Sequence, residues 1–244
     1  MTLSNCHILV TGANGFIGKN LIVRLGELQN VTVSTFVRGD DVSKLRALLA
    51  HVDFVVHLAG ENRPIDQVAF EEVNIGLTEV LCEALAVEYQ RSGRQLPLVL
   101  ASSSQAERDN PYGKSKLMAE KAVEDLCFDT GHPAVIYRLP GVFGKWCKPN
   151  YNSVVATFCH NIINGLPIRI DNPSRRLQLV YVDDVVSSFI AALCTPSVGL
   201  RREEVTPLYT TTLGELAKQL HAFGDCRSKL MGGPVGTGFL RALY

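Results

Sequence analysis

Tyr112 and Lys116 stand four residues apart in Tyr112-Gly113-Lys114-Ser115-Lys116, a spacing that puts both side chains on one face of a helix. An ammonium group lowers the pKa of a neighbouring phenol from its reference value of about 10, which lets the tyrosine exchange a proton at neutral pH. Upstream lies Ser102-Ser103-Ser104, and a serine hydroxyl can hold the oxygen that takes part in that exchange. A Tyr–Lys pair alone is weak evidence, and a serine run is ordinary turn chemistry. Position gives them weight: both fall at the carboxyl end of one strand, where ligands of open α/β sheets bind.

A second constellation is Thr11-Gly12-Ala13-Asn14-Gly15-Phe16-Ile17-Gly18, between a strand-like run and a helical one. Glycines there permit a tight turn, close approach of backbone to a pyrophosphate, and close helix–strand packing. The amides that open the helix then supply donors for phosphate. The spacing is G-x-x-G-x-x-G, and its place at the first strand–helix junction points to a dinucleotide. Twenty residues after Gly18 stands Arg38, where an acid would bind a ribose 2′-hydroxyl and an arginine suits a 2′-phosphate. This favours NADP(H), with NAD(H) the alternative because Asp40 and Asp41 follow closely.

The elements that must position these groups are β-branched runs alternating with longer helical patterns. Strands are predicted at Cys6–Thr11, Val31–Val37, Asp53–Leu58, Leu98–Ser102 and Ala134–Arg138, with helices near 16–28, 42–50, 66–90 and 112–129. Such alternation predicts an α/β fold, a Rossmann-like doubly wound parallel sheet with right-handed crossovers. Beyond residue 140 the rhythm breaks, with helices predicted at Ser153–Ile163, Val182–Leu193 and about 213–223, the last capped by Thr212 with Glu215. We expect one domain over 1–244, its nucleotide-binding part mainly 1–140 and 182–194. A small C-terminal substrate lobe takes mainly 141–181 and 195–244.

The 244 residues are 46% hydrophobic and 20% charged, with 24 basic residues against 24 acidic. Balanced charge supplies no field for a nucleic-acid backbone, and no run is apolar enough for a membrane span. Seven scattered cysteines without a C-x-x-C pair, and an N-terminus without a basic leader, predict reduced thiols and a cytoplasmic setting. The histidines show no metal-ligand spacing, so no metal is expected. His57 reads as a packing residue, and Asp183 and Asp184 as helix-start carboxylates.

Thr11-Gly-x-x-Gly-x-x-Gly18, His57-Leu58-Ala59-Gly60, Asn74-x-x-x-Thr78, the serine cluster and Tyr112-x-x-x-Lys116 together resemble the extended short-chain dehydrogenases/reductases. Asn62-Arg63-Pro64, Asp109-Asn110-Pro111-Tyr112-Gly113, the run 143–153 and Tyr181-Val182-Asp183-Asp184 are similar to the capsular-polysaccharide synthesis reductases of the CapF/WbjC type. The resemblance covers essentially the whole chain. It implies NADPH-dependent reduction of the C4 ketone of a UDP-4-keto-6-deoxy-N-acetylhexosamine, on the route to UDP-N-acetyl-L-fucosamine for capsule or O-antigen. Tyr112 would be the general acid, and Lys116 would bind the nicotinamide ribose and tune it. Ser104, or in second place Ser103, would hold the carbonyl oxygen. Cofactor contacts are implied at Gly12, Asn14, Gly15, Phe16, Ile17, Gly18, Arg38, Leu58, Ala59, Gly60 and Leu139, as well as Tyr112 and Lys116. Substrate contacts are implied at Asn62, Arg63, Asn150, Asn152, Arg175 and Gln178, the arginines suiting a diphosphate. A homodimer is compatible with the resemblance. The family continues into a metal-binding cupin domain, and the apolar ending at 231–244 reads as the boundary before it. On that reading the chain reduces a ketone without epimerising C3.

Three departures from the family stand out. Gly141 follows Pro140 where asparagine is usual, and Glu61 replaces a commonly apolar residue. The stretch between Val37 and Asp53 leaves no room for the usual third strand and its adenine-contacting acid. Among rival functions, a sugar dehydratase needs an Asp-Glu pair where this chain has Gln105-Ala106. An NAD-dependent epimerase would favour an acid over Arg38, and a non-catalytic NADP-binding module would not need both Tyr112 and Lys116.

Overall fold

The computed structural model describes residues 3, 5–62, 66, 70–196, 198–229 and 235–244. They form two units, one of Met1–Leu139 with Val186–Glu204 and one of Pro140–Val185 with Val205–Tyr244.

The first unit is built on β1 (Cys6–Thr11), β2 (Val31–Phe36), β3 (Phe54–His57), β4 (Leu98–Ser103), β5 (Ala134–Leu139) and β8 (Leu200–Glu203). These make one sheet in the order β2-β1-β3-β4-β5-β8, with every neighbouring pair parallel. Parallel strands need long crossovers, here α1 (Phe16–Gly26), α2 (Val42–Leu49), α3 (Leu77–Ser92) and α4 (Pro111–Thr130). Helices on a parallel sheet demand apolar runs in its strands, and Ile8, Leu9, Val10, Val55, Val56, Leu98, Val99 and Leu100 are all buried. Leu81 and Leu85 of α3 pack with Val123 and Leu126 of α4 in the same core as Leu98 and Ile136. Each such side chain contributes about 1.5–3 kcal/mol by leaving water.

Between β2 and β3 the chain makes only α2, so β2 is the sheet edge. The predicted helix near 66–90 resolves into a π-helical turn over Phe70–Gly76 followed by α3; residues 67–69 lie outside the described residues.

The stretch 195–204 was expected in the lobe, but it falls in the first unit, where Leu200–Glu203 forms the edge strand β8 with Ala134 opposite Leu200. Its sequence, Leu200-Arg201-Arg202-Glu203, hides it from a search for apolar strands, because edge strands carry charge against stray pairing.

The second unit holds β6 (Gly141–Phe143), β7 (Arg176–Tyr181) and β9 (Tyr209–Thr212), in the order β6-β7-β9. None of these strands was anticipated. The helices α5 (Val154–Ile163), α7 (Leu213–Lys229) and α8 (Phe239–Leu243) belong to this unit, and α6 (Val182–Cys194) begins in it. Phe143, Val155, Phe158, Leu179, Leu216 and Leu220 form its core. The apolar ending is used there: the Phe239 ring stands edge-on to Phe143 with centroids 5.8 Å apart. Thr212 and Glu215 make the predicted reciprocal cap, the Glu215 amide donating to Thr212 Oγ1 at 3.2 Å and the Thr212 amide to Glu215 Oε2 at 2.9 Å.

Candidate active site

Asn110 accepts a hydrogen bond from the Gly113 amide at 2.8 Å, and Pro111 follows in the first turn of α4. This start, a side-chain cap before a proline, sets Tyr112 in the first turn and Lys116 one turn on. Lys116 is buried, and its ammonium makes one long hydrogen bond to the Ala101 carbonyl at 3.5 Å. A Cβ at Gly60 would lie 2.8 Å from that ammonium and 3.0 Å from Asn74 Oδ1, so only glycine leaves room for the lysine here. Burial pushes the Lys116 pKa down to about 8, opposed by the negative charge of Glu120.

Tyr112 departs from expectation. Burial, which withdraws water from a phenolate, pushes its pKa up, and the opposing influence is a hydrogen bond from Ser103 rather than the Lys116 charge. The Phe70 ring packs against it with centroids 5.8 Å apart. Ser103 is buried at the end of β4, and its Oγ also accepts the Gln105 amide at 3.2 Å. Ser104, placed first on sequence grounds, is exposed, and its amide bonds the Leu139 carbonyl at 2.9 Å. β4 runs one residue further than predicted, which leaves Ser104 in the turn beyond it.

Behind Lys116 lies a polar chain whose direction follows from donor and acceptor counts. The Thr78 hydroxyl donates to the Asn74 carbonyl at 2.8 Å, so it accepts from His57 Nε2 at 2.9 Å. His57 Nδ1 then accepts from Thr11 Oγ1 at 2.6 Å, while Thr11 Oγ1 accepts the amides of Leu58 and Ala59. The imidazole is fully buried, which drives its pKa down to about 3, and it stays neutral. The Asn74 amide donates to Glu61 O and Ser115 Oγ, both at 2.9 Å, and Ser115 Oγ donates to the Tyr112 carbonyl at 2.8 Å. The glycine turn and the Tyr112 helix are thus pinned to the same side chains.

Sequence reasoning missed Glu120, Arg138, Ser115 and Phe70. Glu120 was findable, since it lies four residues past Lys116 on the same helical face.

The first unit's residues fit a nicotinamide dinucleotide. Gly12 has φ +68°, and a Cβ there would sit 2.6 Å from the Ala59 amide nitrogen, so the turn lies against the end of β3. Gly15 opens α1 in extended conformation, with no side-chain cap and no acidic residue in the first turn, leaving the positive helix end to an anion. Asn14 and Gly15 are exposed and Phe16 and Ile17 half-buried around that end, while Gly18 is buried beneath it. Among the described residues the Lys116 ammonium makes one long hydrogen bond, which leaves it donors for ribose hydroxyls. Arg38 Nη2 donates to Glu61 Oε2 at 2.9 Å. Asp40 accepts the Val37 amide and Asp41 the Ser43 amide, so both acids serve their own turn.

Asn62 Oδ1 is buried without a hydrogen-bond partner among the described residues; Arg63 lies outside them. In the second unit, Asn150 adopts φ 56° and its amide donates to Thr157 Oγ1 at 2.9 Å. Asn152, Arg175 and Gln178 are exposed, Asn152 just before the Ser153 cap of α5 and Gln178 on β7.

Residues 8–205 match the model of the NAD dependent epimerase/dehydratase family. Over 237 residues the chain is 48% identical to UDP-2-acetamido-2,6-beta-L-arabino-hexul-4-ose reductase of Pseudomonas aeruginosa, covering 97% of this chain and 63% of that protein. The crystal structure of the capsular polysaccharide assembling protein CapF from Staphylococcus aureus is similar at a TM-score of 0.81 and 33% identity, again over 97% of this chain and 63% of that one. WbmF of Bordetella bronchiseptica, solved with NADH, shares the fold at a TM-score of 0.76 and 23% identity, over 91% of this chain and 78% of that one. The chain therefore spans less than two thirds of the first two relatives.

Proposed function

The chain belongs to the NAD dependent epimerase/dehydratase family, and on that footing we propose that it is an oxidoreductase of nucleotide sugars. Its reaction in this reading is NADPH-dependent reduction of the C4 ketone of a UDP-4-keto-6-deoxy-N-acetylhexosamine, in UDP-N-acetyl-L-fucosamine synthesis for capsule or O-antigen. One placement carries the reading: the buried Ser103 stands beside the Tyr112 hydroxyl and tempers its pKa, with the buried Lys116 one turn along the same helix. The name of the Pseudomonas aeruginosa relative, a reductase of a UDP-linked hexul-4-ose, supports the ketone and its carrier.

A bound nicotinamide dinucleotide would supply the hydride that C4 receives. Tyr112 gives its hydroxyl proton to the C4 oxygen. Its raised pKa keeps the proton in place until the oxygen gains charge, which suits a general acid. Ser103 holds that same oxygen, and we place it ahead of Ser104 because it is buried and stands beside Tyr112. Lys116 holds the ribose and offers positive charge to the phenolate that forms. Asn62, Arg63, Asn150, Asn152, Arg175 and Gln178 are the residues we propose for the UDP-sugar.

The test is to mix protein, NADPH and a UDP-4-keto-6-deoxy-N-acetylhexosamine and follow the absorbance of the reduced nicotinamide. Substrate-dependent oxidation is expected, reduced by about 10²–10⁴-fold in Tyr112→Phe. Oxidation that persists in Tyr112→Phe would overturn the mechanism. Tight NADPH binding without turnover of any such keto-sugar would favour a non-catalytic module.

A further inference from the structure

Arg38 was the residue that favoured a 2′-phosphate, yet its guanidinium is engaged. Arg38 Nη2 meets Glu61 Oε2 at 2.9 Å, with the arginine side chain 81% exposed and the glutamate side chain 16% exposed. The glutamate is the better anchored partner. Its backbone is clasped on both sides by one amide, the Glu61 N–H donating to Asn74 Oδ1 at 2.7 Å and Asn74 Nδ2 to the Glu61 carbonyl at 2.9 Å. Asn74 is buried and also bonded to Ser115 on the Tyr112 helix. The Glu61 carboxylate therefore stands on an anchored backbone and is mostly shielded, while Arg38 is the exposed arm that reaches it.

The other charges at this corner are committed. Asp40 accepts the Val37 amide at 2.8 Å and pairs with Lys44 at 2.8 Å, and Asp41 caps α2. Arg38 and Glu61 sum to zero, so among the described residues the end of β2 offers no net positive charge to a 2′-phosphate. Such a phosphate carries about two negative charges near pH 7, and a carboxylate at hydrogen-bonding distance from its arginine repels it. A ribose diol carries no charge and can donate to a carboxylate, so Glu61 does not oppose NAD(H).

We propose that Glu61 is a specificity-determining residue of the dinucleotide site, whose carboxylate neutralises Arg38 and holds down the preference for NADP(H) over NAD(H). This rests on the dinucleotide reading above and deepens it.

The experiment is to titrate the protein with NADPH and with NADH, following nicotinamide fluorescence, in wild type, Glu61→Gln, Glu61→Ala, Arg38→Ala and Arg38→Ala/Glu61→Gln. Only the Glu61 backbone is held by Asn74, so both side-chain changes leave that clasp intact, and circular dichroism checks the fold. The ratio of NADH Kd to NADPH Kd should rise by about tenfold in both Glu61 variants, the effect of one removed like charge near a surface. Arg38→Ala should lower the ratio, and the double variant should show no gain. A ratio unchanged by either Glu61 variant, or shifted toward NADH, with both dinucleotides still bound, would overturn the role of Glu61 alone. Wild type that binds neither dinucleotide would overturn the dinucleotide reading and this proposal with it.

Discussion

Ser102 Oγ donates to Glu120 Oε1 at 2.5 Å, which joins the residue before Ser103 to the residue one turn past Lys116. The same carboxylate receives Arg138 Nε at 3.0 and 3.1 Å and Nη2 at 2.7 Å, while Glu107 meets Arg138 from its more exposed side. Glu120 is fully buried, and a buried carboxylate persists only when paired and hydrogen-bonded. It ties β4 to α4 at the level where Ser103 and Lys116 emerge, and its charge is the influence that opposes burial in keeping Lys116 protonated.

Glu120→Gln should therefore disturb the pH profile as well as the fold. With Lys116 near 8, kcat/KM for ketone reduction should be level below about pH 8 and fall above it, as the ammonium is lost. Removing the Glu120 charge lowers the Lys116 pKa further, so the falling limb should move down by about one pH unit. Arg138 keeps Glu107 and some solvent, so the stability loss should be about 2–3 kcal/mol, short of the full effect of breaking a buried pair. A rate–pH profile that keeps its limb, alongside lowered stability, would show that Glu120 is structural only.

The two serine candidates separate by single substitutions. Ser103 is buried beside Tyr112, whereas Ser104 is exposed in the turn beyond β4. Ser103→Ala should lower kcat for keto-sugar reduction by about 10²-fold, the order seen when a donor to a reacting oxygen is lost. Ser104→Ala should stay near wild type. The reverse order would restore the sequence-based preference.

That preference rested on where β4 ends, and the contrast shows what sequence can carry. Strands β1 to β5 were legible to within a residue or so at each end because both faces of a parallel sheet are buried and the strands read as apolar runs. The choice we propose between the serines turns on a single residue of strand length, since Ser103 closes β4 and Ser104 does not. β7 (Arg176-Leu177-Gln178-Leu179-Val180-Tyr181) and β8 carry charge or alternate with solvent-facing residues, and neither looks like the strands before it. The Arg38–Glu61 pair spans 23 positions and exists because β1 lies between β2 and β3 in the sheet. Periodicity along the chain cannot report such a neighbour. The downward influence of Lys116 on the phenol was expected from proximity along the helix, but burial and Ser103 govern Tyr112.

His57 makes a prediction about acid stability. Its folded pKa, about 3, lies below the ordinary 6.5, so the unfolded chain binds the extra proton. Its contribution is present above pH 6.5 and lost as pH falls from 6.5 toward 3. Between pH 7 and pH 5 this one group should cost about 2 kcal/mol of unfolding free energy. His57→Gln does not titrate and should flatten the pH dependence by that amount, while weakening the fold at pH 7 through the disturbed bonds to Thr11 and Thr78. Denaturant melts at the two pH values check it, and parallel slopes for wild type and variant would contradict the assignment.

Gly60→Ala should separate activity from stability. The added methyl would stand 2.8 Å from Lys116 Nζ and 3.0 Å from Asn74 Oδ1, distances that require something to move. The lysine end is the flexible member, while Asn74 is buried and bonded to Glu61 and Ser115. The displacement should therefore fall on the ammonium, at a modest cost of about 1 kcal/mol in unfolding free energy. In the proposed mechanism a displaced Lys116 would no longer meet the ribose or support the Tyr112 phenolate, and a shift near 1 Å in a positioning group can cost about 10²-fold in rate. The expected result is a variant that melts close to wild type, binds NADPH more weakly and reduces keto-sugar about a hundred times more slowly. If instead Gly60→Ala unfolds the protein and slows it in proportion, the glycine serves packing alone, and the room it leaves for Lys116 has no bearing on the chemistry.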